Sequence, residues 1–521
     1  MFDPHPLKKA VFTTGNAILS GTLLALSFPH SEQYLLAWVA FVPLFFAIQS
    51  KPPRRAFFLG WLAGFVYFWG TISWVERTLI RHGGLSWASG GFFTFLLISY
   101  LALYVGCFCA VLRFASFERA PFFFVPSLWV LLEYAKGHLF TGFPWASLAY
   151  SQVPFLSMIQ IADFGSIYAV AFVILLVNNT LYLWVRSGWQ HHCIGWKSLV
   201  IPIAIVLSTY LYGKLRLTEP LSQTKSISVA VVQGNIPQDR KWDRTHQDRT
   251  IQTYQRLSLS TFSGLKRQRP DLVIWPESAL PFIFNAENKY QDVLIRFVRK
   301  EKIDLLVGAP SIQTTASGQV VLLNSAYHLS PIEGIRARYD KMHLVPFGEY
   351  VPLAGVLYFI EKMVEGVADF IPGNSPTVMQ TNRSKFGTVI CFEVIFPEEV
   401  RRFVKGGAEL MTTITNDAWF GHSAAPAQHF AMVVFRAIEN RVAFARAANT
   451  GISGFIDPYG KIIQQTPQFQ ETAAIQTLFS ANKKTFYTQY GDLFAGLCAI
   501  ITLLVVSNTY IKRRRQNALP M

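Results

Sequence analysis

Eight apolar runs constrain this chain more than any other feature. They fall at 10–28, 33–49, 56–75, 85–112, 121–134, 164–185, 198–213 and 493–511. A helix needs about 20 mostly apolar residues to cross the hydrocarbon of a bilayer, and most of the runs meet or approach that length. Those at 121–134 and 198–213 are short, and Glu133 interrupts the first. The connections alternate in charge. One set carries Lys8 and Lys9, then Lys51, Arg54 and Arg55, then Arg113 and Arg119, then Arg186 and Lys197, and last Lys512, Arg513, Arg514 and Arg515. The other set has little beyond Arg77, Arg81 and Lys136. Basic connections stay on the cytoplasmic side. The alternation therefore predicts eight spans, with both termini cytoplasmic and the segment between the seventh and eighth spans outside the cytoplasm. A buried soluble helical core would explain the runs but not the alternation. For the first run the competing reading is a cleaved signal peptide ending near Ala25, Leu26 and Ser27; the run exceeds the usual apolar region of such peptides, which favours an uncleaved anchor.

Charge is scarce only in places. Of the 521 residues 15% are charged, against about 25% in soluble proteins. The first 220 residues hold 21 charges and the next 264 hold 52. The chain thus divides into a membrane domain with seven helices (1–220), a globular domain (221–484), and an eighth span with a basic tail (485–521). The globular part is long enough to bury a core by itself. The net charge of +16 is compatible with nucleic acid or an anionic membrane. Much of it flanks apolar runs, and no basic helix with interleaved aromatics is present, so no nucleic-acid partner is expected. Of five cysteines only Cys391 lies in the globular part, which rules out a disulfide framework there.

Within 221–484, strand and helix patterns alternate. Strands are expected at 227–233, 272–275, 304–308, 386–391 and 410–415, with a hairpin of 326–329 and 335–339 across Glu333 and Gly334. Helices are expected at 244–268, 288–300, 398–406 and, as one long element, 428–446. Strands at 451–456 and 462–465 flank Pro458, Tyr459 and Gly460. The pattern predicts an α/β layered domain.

Three polar residues sit just past apolar strands or in turns: Glu277, Lys341 and Cys391. Strand ends on a rigid sheet position reactive groups well. A thiolate is a nucleophile, a carboxylate can act as its base, and an ammonium can stabilise a thiolate or an oxyanion. Together the three would serve acyl transfer. Taken singly, each has an ordinary structural reading: a small buried hydrophobe for the Cys, a turn or cap for the Glu, a solvated loop for the Lys. No metal-ligand cluster or nucleotide loop is legible, so no cofactor and no metal is expected.

The motifs around these residues resemble those of the apolipoprotein N-acyltransferase family, membrane-embedded members of the nitrilase superfamily. The stretches are IleTrpProGluSer at 274–278, LysMetHisLeuValProPheGlyGluTyrValPro at 341–352, IleCysPheGluValIlePhePro at 390–397, ThrAsnAspAlaTrpPheGly at 415–421 and AsnThrGlyIleSer at 449–453. The resemblance covers essentially the whole chain. It implies a nitrilase-type α-β-β-α sandwich, in the periplasm of a bacterium, on a membrane domain in the inner membrane. It implies Glu277 as general base, Lys341 as oxyanion stabiliser and Cys391 as nucleophile. Glu349 and Glu393 match two further acidic positions, and Trp242 a substrate-facing Trp. Phe392 stands where the family often has Tyr, so a backbone N–H donor is kept there and a hydroxyl is not. Trp419 and Phe420 read equally as lipid contacts or as loop packing. The implied substrates are a phospholipid acyl donor such as phosphatidylethanolamine and diacylglyceryl apolipoproteins, acted on by a monomer among membrane lipids.

Two stretches remain. Residues 352–374 mix apolar and charged positions as an amphipathic lid or lipid-entry arm would, and equally as a helix packed on the domain would. Glu133 and Asp163, flanking 141–145, are expected to be solvated. Two rival functions stand beside the acyltransferase. A membrane-anchored hydrolase releasing its acyl group to water would use the same residues. A transporter or receptor would require charges deep inside several spans, and the spans have almost none.

Overall fold

The computed structural model describes residues 6–518 apart from 121, 190–196, 222–225, 239–240, 262–268, 287, 351–369 and 480–483. These form two compact units, one of residues 1–76, 88–218 and 490–521, the other of 77–87 and 219–489.

The first unit is helical. Among the described residues five helices are long and apolar enough to cross a membrane: Pro53–Ile72, Trp87–Phe114, Ala162–Gly188, Leu199–Leu217 and Leu493–Asn517. The other three expected spans take different forms. Pro6–Leu26 is a helix whose apolar stretch is shorter, and Phe124–His138 has 15 residues. The run at 33–49 breaks into a turn, Tyr34–Trp38, and a helix of eight residues, Phe41–Ile48. A broken helix in apolar surroundings must find partners for its freed backbone groups. Asn178 supplies them, accepting from the Phe41 N–H at 2.8 Å and donating to the Ala37 carbonyl at 2.9 Å. Small residues let helices approach: side chains at Gly60 or Gly64 would overlap Val105 and its neighbours on Trp87–Phe114.

Glu133 and Asp163 are buried, contrary to expectation. Glu133 accepts the Leu148 N–H at 2.8 Å. Asp163 accepts the Tyr212 hydroxyl at 2.8 Å and pairs with Arg216 at 3.2 Å. Both satisfy polar groups of neighbouring segments, which the linear sequence does not bring near them.

The second unit is a sandwich of two six-stranded sheets. The first holds β1 (Ser226–Gln233), β2 (Leu272–Ile274), β3 (Asp304–Thr314), β4 (Val320–Ser330) and β5 (Gly334–Asp340). The second holds β6 (Met379–Gln380), β7 (Lys385–Ile390), β8 (Leu410–Thr415), β9 (Ala443–Ala448), β10 (Gly454–Ile456) and β11 (Ile462–Gln465). The last strand, β12 (Thr472–Phe479), returns to pair antiparallel with β1. Each sheet has a parallel centre, β1-β2-β3 in one and β7-β8-β9 in the other. Parallel strands are buried on both faces and read as continuous apolar runs, which is why all of these except β9 were legible. Helices Gln247–Ser260 and Asn288–Glu301 cover the first sheet, packing Tyr254, Leu294 and Val298 against Val232, Trp275 and Leu305. On the second sheet, Pro397–Lys405 lays Phe403 over Gly387. The sheets meet where Ser453 and Thr466 both donate to the Gln233 side chain, at 2.7 and 2.8 Å.

The expected long helix at 428–446 is two elements. The helix Ala425–Asn440 ends at Arg441, which adopts φ +52°. β9 follows and fills the slot between β8 and β10. Its sequence, AlaPheAlaArgAlaAla, is rich in helix formers, and the sheet overrides that local preference.

Candidate active site

Strand ends deliver the polar groups. Glu277 lies three residues past β2, Lys341 directly follows β5, Cys391 directly follows β7, and Asn416 and Asp417 follow β8. Lys341 is 1% exposed. Its Nζ is 2.9 Å from Glu349 Oε2 and 3.6 Å from Glu277 Oε1. Asn324, on β4, donates to both carboxylates, at 2.9 Å to Glu277 and 2.8 Å to Glu349. Backbone N–H groups complete them: Asn416 to Glu277 Oε2 at 2.9 Å, and Val345 to Glu349 Oε2 at 2.8 Å. Burial alone would push the Lys341 ammonium down in pKa; Glu349 and then Glu277 more than reverse this, so it stays charged.

Cys391 is held differently. It opens the turn Cys391–Ile395 with φ +52°, a conformation that costs a non-glycine residue about 1–3 kcal/mol. Burial pushes its thiol well up, the Glu277 charge adds to the rise and Lys341 opposes it. The resting group near neutral pH is therefore a thiol rather than a thiolate. Glu393, fully buried in the same turn, accepts from the Ile390 N–H at 2.6 Å, and from the Met342 N–H and the Tyr339 hydroxyl at 2.7 Å each. Burial lifts its carboxyl to about 7 despite these donors. Glu393 thus ties the Cys391 turn to the segment carrying Lys341, through backbone rather than through the thiol.

The other residues singled out in the sequence fall around this centre. Trp242 is 41% exposed, while Lys241 beside it is buried and donates to the Glu277 main-chain carbonyl at 3.2 Å. Burial brings Lys241 down to about 8, against the pull of Glu277 and Cys391. Phe392 packs on His343 and Phe396, with ring centroids 5.8 and 5.2 Å away. Trp419 lies against His82, at 5.1 Å between rings, and its carbonyl accepts the Thr78 hydroxyl at 3.0 Å. Phe420 meets the His429 ring edge-on at 6.0 Å. The stretch 352–374 lies outside the described residues up to 369; beyond it the Phe370 N–H bonds the Glu349 carbonyl at 3.1 Å. Sequence reading missed Asn324 and Lys241. Lys241 adjoins Trp242 and was discoverable on that ground; nothing local marks Asn324. Among the described residues no three His, Cys, Asp or Glu side chains converge as metal ligands.

Residues 20–180 match the family profile described as the apolipoprotein N-acyltransferase N-terminal domain, and residues 228–482 match carbon-nitrogen hydrolase. An apolipoprotein N-acyltransferase from Geobacter metallireducens is 41% identical over 95% of this chain and 95% of its own length. The chain belongs to the apolipoprotein N-acyltransferase family. A second apolipoprotein N-acyltransferase, from Haemophilus influenzae, is 33% identical over 98% of this chain and 97% of its own. Among solved structures, an amidase from Nesterenkonia sp. aligns with 54% of this chain and 99% of its own at 18% identity, with a TM-score of 0.38. In this apolipoprotein N-acyltransferase family member the carbon-nitrogen hydrolase match contains Glu277, Lys341, Glu349 and Cys391.

Proposed function

We propose that this protein is an acyltransferase that moves an acyl chain from a phospholipid to the amino-terminal S-diacylglyceryl-cysteine of apolipoproteins, the last step of lipoprotein maturation, through a thioester on Cys391. The observation that carries the reading is the buried Glu277–Lys341–Glu349 cluster beside a thiol on a left-handed turn. Glu277 takes the Cys391 proton as the sulfur attacks the sn-1 ester carbonyl. Lys341 and a backbone N–H hold the oxyanion, each donor lowering the barrier by about 3–4 kcal/mol. The C–O bond breaks, the lysophospholipid oxygen receives the proton from Glu277, and a thioester remains. The α-amino group of the diacylglyceryl-cysteine, with an ordinary pKa of about 7.7–8.0, then attacks the thioester. Its proton passes through Glu277 to the departing sulfur as the C–S bond breaks, which restores the resting thiol. Lys341, already charged, needs no proton movement in either half. We assign Trp242 to the substrate-facing side, and Glu349 holds Lys341.

We place 221–484 as the catalytic domain on the periplasmic side of a bacterial inner membrane. Residues 1–220 supply seven membrane helices and 485–521 the eighth, with both termini cytoplasmic; the alternating basic connections support this. Phosphatidylethanolamine is the proposed donor, and the working unit is a monomer. The test is intact-protein mass spectrometry after incubation with phospholipid alone. An acyl adduct on Cys391 that an apolipoprotein peptide discharges as N-acyl peptide is expected. Discharge to water instead, or a Cys391→Ser variant that still turns over normally, would overturn the reading.

A further inference from the structure

Behind the Cys391 turn lies a buried group of charged and polar residues with no part in the mechanism above: Thr415, Asp417, His429 and Arg446, all fully or almost fully buried. His429 sits on the helix Ala425–Asn440, and its Nε2 is 3.1 Å from the main-chain carbonyl of Cys391. A carbonyl only accepts, so Nε2 carries a proton. On the other side of the ring Nδ1 is 3.1 Å from Arg446 Nη2. A guanidinium only donates, so Nδ1 presents its lone pair. His429 is thus a neutral ring protonated on Nε2. Burial, and after it the Arg446 charge, push it in the same direction. Asp417 stands 3.4 Å from Nδ1 through Oδ1. With Nδ1 bare, that carboxylate takes its donors elsewhere, from Arg446 at 2.8 Å and from the Thr415 hydroxyl at 2.9 Å.

We propose that His429 is a positioning residue for the reaction at Cys391: its Nε2–H fixes the Cys391 carbonyl, and Arg446, anchored by Asp417, fixes the ring. Rotating that carbonyl rotates the whole left-handed turn, and with it the direction of the thiol and of the N–H groups that follow. A turn of this kind persists only where its surroundings over-determine it, and the His429 hydrogen bond supplies such a constraint from outside the turn. The proposal rests on Cys391 being the nucleophile.

A pair of amide variants tests it. In His429→Gln the side-chain amide reaches the place of Nε2 and can still donate to the Cys391 carbonyl. In His429→Asn it overlays only Nδ1 and cannot reach. Acyl-enzyme formation from phospholipid vesicles and alkylation of Cys391 by a small maleimide are measured for both, with thermal unfolding alongside. His429→Asn should slow both reactions by about 100-fold, the scale of a reacting group misplaced by an ångström, with KM for phospholipid unchanged. His429→Gln should recover most of the rate. Equal rates in the two variants, or losses that follow the fall in Tm, overturn the proposal. So does failure of both variants to fold, which would make His429 a core residue only. A Cys391→Ala variant run in parallel separates the two levels: if it retains turnover the nucleophile assignment fails, and if it is inactive while both amides behave as wild type only the role of His429 fails.

Discussion

The two sheets of the sandwich hold their functional groups by different means. The first sheet presents charge. Glu277 and Lys341 come from beyond β2 and β5, and Asn324 on β4 bonds both carboxylates, so side chains fix one another in a closed set. The second sheet presents a thiol on strained backbone. Cys391 takes its position from the turn after β7, held by Glu393 on one side and by His429 on the other. Charges are therefore sensitive to the loss of a partner, whereas the thiol is sensitive to movement of the main chain. Removing one charge should damage activity and stability together; loosening the turn should damage activity more than stability.

The largest effect on this comparison is expected from Lys341→Met. It leaves Glu277 and Glu349 buried without their cation, a change that costs about 3–5 kcal/mol, and it removes the proposed oxyanion partner. Turnover should vanish and the urea midpoint should fall sharply; a folded variant of normal stability would show that the charges are not interdependent. Gly451→Ala comes next. A Cβ there would overlap the Asp417 carboxylate, and overpacking costs about 1–3 kcal/mol. The rate of Cys391 alkylation should drop by more than the change in unfolding free energy accounts for. Glu393→Gln replaces one acceptor oxygen with a donor facing other donors, at about 1–3 kcal/mol.

Glu393 also carries a pH signature. Its folded value near 7 lies above the ordinary 4.5, so the folded state holds the proton more tightly than the unfolded state does. Stability should fall as pH rises from 4.5 towards 7, and Glu393→Gln should remove that component from a set of thermal melts. An unchanged slope would show that the donors, not burial, govern this carboxyl. The smallest stability effect is expected for Trp242→Ala. The side chain is 41% exposed, so unfolding should move by no more than about 0.5 kcal/mol, while KM for substrate should rise if the ring faces it.

Much of this was legible in the linear chain because parallel strands announce themselves. β1, β2, β7 and β8 are apolar and short, and Glu277 and Cys391, just past β2 and β7, stood out as polar exceptions. The missed pieces share a cause. β9 reads as helix, and only its seat between β8 and β10 makes it a strand. β12 has a moderate local pattern and is defined by pairing with β1, more than 200 residues away. Glu133 and Asp163 looked solvated because their partners, Leu148 and Tyr212, lie 15 and 49 residues along the chain.

The sequence by itself determined where charge is excluded, because hydrocarbon-length apolar runs depend only on local composition. It also brought Glu277, Lys341 and Cys391 forward for chemistry, because their place just past strands or in a turn, and the motifs around them, are visible in one dimension. Tertiary structure decided that Lys341 stays charged between two carboxylates, that Cys391 rests as a thiol, and which His429 nitrogen carries the proton. Those are properties of distance and burial, set by groups the chain brings together only when it folds.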